Sequence, residues 1–192
     1  MGQTGAVAEI TLVKGETAVL DRTWLALPDG PGWQAAVHVV HDLPHLVVES
    51  VFGLPDGLWG VLAQGGFAAA NRARTRSHGR RARLVTDVPL DELAARNWTG
   101  HRVAKAATNA VMNRWQDGPD TPDGVRARLR DGLPGPDPEY EQRIGQLLGR
   151  VDDAAIAVAI TGTRHLSATW AELAPGGTLR LNWPLSRDAL GA

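Results

Sequence analysis

Apolar and polar positions alternate at the start of the chain. AVAEITLV (residues 6–13), the connector KGE and TAVL (residues 17–20) read as a β-hairpin with Gly15 in its turn. DRTWLAL extends the second strand, and the turn-forming run LPDGPG (residues 27–32) ends the unit. In QAAVHVV (residues 34–40), Val37 and Val39 keep the two-residue period, which predicts a further short strand.

The period then changes to that of a helix. LVVESVF and DGLWGVLAQ are short apolar helices, and PLDELAARN opens on Pro89 in a helix-initiating position. Thr99 is the expected N-cap of GHRVAKAATNAVMNRWQ, closed by Gly118 and Pro119. Thr121 and Pro122 start the next helix, and PDPEYEQRIGQLLGRV supplies another. DDAAIAVAIT reads as helix on its alanines, although Ile156, Val158 and Ile160 alternate. LSATWAEL, the turn APGG and TLRLNW then predict a second hairpin, with Leu179, Leu181 and Trp183 on one face and Arg180 and Asn182 on the other.

Strands at both ends with helices between define an α+β class: one antiparallel sheet from the N- and C-terminal hairpins, with a central helical region packed on it. The expected organisation is one domain over residues 1–192. Its strands fall at about residues 6–40, its helices at about 42–160 and its C-terminal hairpin at about 163–184. A chain of 192 residues can remove roughly 70% of its unfolded surface from water, so it can hold a proper core.

Local geometry gives HDLPHLVVES (residues 41–50) its interest. Pro44 inside a helix would clash with the Val40 carbonyl at a cost of about 3 kcal/mol, so the helix is expected to begin here with Asp42 as N-cap. His45 and Glu49, four residues apart, then share a face, with His41 just outside the first turn. Two histidines and a carboxylate suit a divalent metal, Zn or Fe, with Asp42 as a fourth ligand, and metal-assisted hydrolysis of a small polar substrate follows. Without metal, His41, His45 and Glu49 can serve as general base and orienter. The same residues also fit a plain capped helix with a satisfied His–Glu pair.

Two other segments carry candidate binding chemistry. On the helix after Thr99, 3.6-residue spacing gathers His101, Lys105, Thr108, Asn109, Met112 and Gln116 on one side, opposite Val103, Ala107, Ala110 and Val111. That polar stripe has no carboxylate; His101, Lys105 and Asn109 would suit the wall of a polar pocket as well as a solvated face. NRARTRSHGRRAR (residues 71–83) holds six arginines, and Arg80, Arg81 and Arg83 could dock an anionic ligand or an acidic protein partner in a non-catalytic accessory role. No aromatic residue interleaves these arginines, so nucleic acid is not expected there.

Composition narrows the remaining chemistry. There is no cysteine, which removes disulfides, thiolate nucleophiles and Cys-ligated metals. The formal net charge of −1 argues against a polyanion binder. MGQTGAVAEI has no basic n-region or long apolar core, and the uncharged run of residues 57–71 is broken by glycines, so a cytoplasmic protein without a membrane span is expected. Seven tryptophans against two phenylalanines and one tyrosine point first to core filling. HLSAT offers His165 and Ser167 but lacks a nucleophile elbow, and the glycine-rich PGG and QGG have no nucleotide-loop spacing.

Overall fold

The computed structural model describes residues 8–26, 33–35, 38–63, 90–112, 121–133, 135 and 137–191. Four strands, β1 (Ala8–Val13), β2 (Arg22–Ala26), β3 (Trp33–Ala35) and β4 (Thr178–Trp183), form an antiparallel sheet in the order β3-β2-β1-β4. Between β3 and β4 run α1 (Val39–Phe52), α2 (Leu58–Ala63), α3 (Leu90–Met112), α4 (Pro122–Asp131), α5 (Pro138–Arg150) and α6 (Asp153–Glu172). The α+β class and the single sheet of N- and C-terminal strands are as the sequence pattern predicts. No helix among the described residues is long and apolar enough to cross a membrane.

The two-residue period sets the sheet. Ile10 stands opposite Leu25 on one side and Leu181 on the other, and all three are buried. Glu9, Trp24, Arg180 and Asn182 face outward. The N-terminal hairpin has a longer connection than its sequence suggests. TAVL does not continue as strand; Ala18–Leu20 form a 3₁₀ turn, and Asp21 Oδ1 accepts the Gly15 N–H at 2.9 Å. A Cβ on Gly15 would run into the Leu20 backbone, so this turn demands glycine.

Helix α1 begins four residues before its expected start. His38 is the N-cap, Val39 the first helical residue, and Pro44 lies inside the helix. Asp42 is therefore not the N-cap. It sits in the first turn and reaches back, Oδ2 accepting the His38 N–H at 2.7 Å, much as the acid of a capping box does. Pro44 removes only the bond to Val40, which lies on the exposed side of the first turn, where water can take up that carbonyl. Val39 accordingly starts a helix instead of ending a strand.

Two further boundaries differ from the pattern. Thr99 is not an N-cap: α3 runs through it unbroken, and its hydroxyl lies 3.4 Å from Glu139 Oε2 on α5. The predicted C-terminal hairpin is a helix followed by a single strand. Residues 153–161 are helical as read, with Asp152 the N-cap, but α6 continues through LSATWAE to Glu172. Ile156, Ala159, Ile160, Thr163, Leu166 and Trp170 are its buried face, a 3.6-residue period over four turns that outweighs the local alternation. Other start signals hold: Thr121 Oγ1 accepts from Gly124 N at 3.2 Å, with Pro122 opening α4.

Helix α1 is buried on nearly every side. Leu43, Leu46 and Val47 join the sheet's inner face, Trp59 of α2 and Trp170 of α6 in one apolar cluster. Val48 and Phe52 join a second cluster with Val103 and Ala107 of α3, Ile144 of α5 and Ile156 of α6. Trp59 and Trp170 thus fill core, whereas Trp24 is exposed on the outer sheet face.

Candidate functional site: a buried His45–Glu49 pair between α1 and α3

Helical spacing puts His41, His45 and Glu49 in one row along α1, and burial deepens along it. The His41 side chain is 59% exposed, that of His45 6% and that of Glu49 0%. The row passes from solvent into core within two turns.

Glu49 is engaged from beyond its own helix. Its Oε1 accepts the Leu58 N–H at 2.9 Å, and Oε2 accepts those of Trp59 at 2.7 Å and Gly60 at 3.2 Å. These are the unsatisfied donors at the start of α2, and the carboxylate caps them as an N-cap side chain would, from a residue nine positions upstream. Negative charge at a helix N-terminus adds to the attraction. Burial pushes the Glu49 carboxyl above its usual range; the His45 imidazole and the Gly60 and Trp59 amides act in the opposite direction. The chain fits around this carboxylate through Gly57, where a Cβ would collide with it, and Gly60, where a Cβ would strike the Pro55 carbonyl.

His45 is oriented through Nδ1. Thr108 Oγ1 of α3 lies 3.2 Å from it, and Glu49 Oε1 stands 3.6 Å away, at ion-pairing distance. The Thr108 hydroxyl proton is directed to the Ala104 carbonyl at 2.9 Å, so its oxygen is an acceptor toward the ring. With that hydroxyl orientation, a neutral His45 ring carries its proton on Nδ1 and leaves Nε2 as the basic nitrogen. Thr108 is nearly fully buried, so the polar stripe read along α3 splits: Thr108 faces α1, whereas Lys105 and Asn109 are exposed.

His101, half-buried on α3, belongs to the same neighbourhood. Burial holds its pKa below the usual value near 6.5, the charges of His45 and Lys105 lower it further, and Asp42 acts the other way. On α1, the His41 and His45 rings lie 5.7 Å apart, and His41 Nδ1 meets Asp42 Oδ1 at 2.7 Å. The Asp42 carbonyl accepts the Trp59 indole N–H at 2.7 Å, a second tie between α1 and α2.

The structure therefore brings together His41, Asp42, His45 and His101, with Lys105 near enough to act on His101 electrostatically. Asn109 is exposed on α3, and Arg80, Arg81 and Arg83 lie outside the described residues. Among the described residues, no three His, Asp or Glu side chains are arranged to hold a metal ion. Thr108, Gly57 and the α2 amides are the participants that pattern reading did not single out. Of these, Thr108 left a signal as a member of the polar stripe, and Gly57 left one in the Asp-Gly turn at residues 56–57. Comparison with protein-family models, curated proteins and solved structures finds no match.

Proposed function

We propose that the α1–α3 face is a histidine acid/base site and that the chain is a small hydrolytic enzyme acting on a small polar substrate. His45 is its proton-transfer group through Nε2. Thr108 and Glu49 are positioning residues that hold the ring and its tautomer. His101, kept neutral near pH 7, and Lys105 supply polar contacts at the mouth. The observation that carries this reading is the Nδ1 contact with Thr108, whose own proton is spent on Ala104. An imidazole fixed at one nitrogen by a hydroxyl and a carboxylate presents the other as a general base, the division of labour such catalysis requires.

A divalent ion, Zn or Fe, is the second reading, favoured by the His41 and His45 rings one turn apart. His41, His45 and Asp42 would then be the ligands, after their side chains turn from the arrangement described above toward one point. Glu49, already bound to three amides, would act on His45 from the outside.

Histidine side-chain ¹H–¹⁵N correlation spectra test the first reading, beside ester and amide hydrolysis screens of the parent and His45→Gln. An Nδ1–H tautomer at His45 and hydrolysis lost in the variant are the expected results. A proton on Nε2 at neutral pH refutes the site. Elemental analysis of the same two proteins tests the metal: about one ion per chain, lost in the variant, is the expected signature.

A further inference from the structure

Away from the His45 row, the loop joining α1 to α2 (residues 53–57), the α3 residues Gly100 and Val103, and one face of α5 enclose a cleft of about 320 Å³. That is at the lower end of small-molecule sites, which run about 300–1,000 Å³. Its apolar floor is Leu54, Val103 and Leu147, each under a tenth exposed. Arg143, Gln146 and Arg150 follow at helical spacing along α5 and form one rim.

The two arginines differ in what they have left to give. Arg143 is spoken for: Nη1 meets Asp56 Oδ2 at 3.0 Å and Nε meets Glu139 Oε1 at 3.2 Å. Among the described residues Arg150 makes one hydrogen bond, Nη2 to the Gly53 carbonyl at 3.2 Å, and no carboxylate pairs with it. Of its five N–H donors, most remain for a ligand, and the tether to Gly53 steadies the guanidinium at the rim. Gln146, one turn earlier, can add an amide donor. With Asp56 and Glu139 close by, the rim carries no large excess of positive charge, which suits a monoanion better than a phosphate dianion.

We propose that this cleft binds a small carboxylate with a short apolar body, its head on Arg150 and Gln146 and its body on Leu54, Val103 and Leu147. The site goes beyond the His45 reading and does not depend on it. The guanidinium fork matches a carboxylate in plane, and the aliphatic floor gives no partner to a second polar group.

Isothermal titration of the full chain with hexanoate and with hexanol tests it. Hexanoate binds saturably, hexanol about tenfold more weakly, and Arg150→Gln loses about tenfold in hexanoate affinity. Gln146→Trp, a change at an exposed rim position, blocks hexanoate by filling the cleft. Arg180→Gln on the outer sheet face leaves binding unchanged, and circular dichroism confirms that each variant is folded. Absence of saturable hexanoate binding overturns the proposal. So does equal binding of hexanol, or hexanoate affinity that survives both α5 substitutions.

Discussion

Gly57 has no side chain because the carboxylate of Glu49 occupies the place where one would stand. A Cβ there would lie within 2.7 Å of both carboxylate oxygens, the atoms that hold the first amides of α2. Gly57→Ala is therefore expected to lower stability by about 2 kcal/mol, in the range of overpacked cores. Chemical denaturation measures it. In a Glu49→Ala background the same substitution should cost much less, because the obstructing atoms are gone, and the double-mutant cycle isolates that coupling.

Removing the carboxylate itself has a larger effect. Glu49→Ala leaves three buried amides without their acceptor and takes the paired carboxylate from the His45 ring, and a loss of about 3–5 kcal/mol follows, comparable to breaking a buried ion pair. Glu49→Gln keeps the shape but turns an NH₂ group toward amide donors, so it recovers only part of the loss. Urea midpoints of the two variants give the order.

Thr108→Val keeps the shape of that side chain and deletes the acceptor for His45 Nδ1. Stability should fall by about 1 kcal/mol, the net worth of one hydrogen bond. The Nδ1–H tautomer should also lose population, which histidine ¹⁵N shifts report. Thr108→Ser should behave as the parent does.

Acid sensitivity should trace to His101. Its folded-state pKa is depressed, by burial and then by His45 and Lys105, so the unfolded chain binds its proton more readily. The stability involved is present above the unfolded value near 6.5 and is lost as pH falls through the folded one. His101→Gln should flatten the decline between about pH 7 and about pH 5 in thermal unfolding, and an unchanged slope would assign the decline to other groups.

Helix α6 offers a local test. Asp152 Oδ1 caps it by accepting the Ala155 N–H at 2.7 Å, so Asp152→Ala should cost about 1 kcal/mol.

What the sequence made legible was whatever depends on near neighbours. The alternation of Ile10 and Leu12, and of Leu179 and Leu181, predicts strands with the correct inward faces. Thr121 with Pro122 marks a helix start that the structure repeats. The i, i+4 relation of His45 and Glu49 is likewise visible. The partners of those two residues were not, because the α2 amides meet Glu49 only once the Gly53–Gly57 loop has turned the chain, and Thr108 arrives from 63 residues away. Thr99 and Leu166–Trp170 misled for a related reason. The threonine suited to capping lies within a helix that starts earlier, and the short run suited to strand was overridden by burial of a longer helical face on α6.

The pairing of β1 with β4 shapes how the chain is made. β1 is flanked by β2 on one edge and β4 on the other, and residues 8–13 are synthesised long before residues 178–183. During translation the hairpin of β1 and β2 can close early, while the second edge of β1 waits through the whole helical region with its amides and carbonyls unpaired. That interval favours slow, topology-limited folding, and it opens a window in which a peptide copied from TLRLNW could take the vacant edge of the nascent sheet.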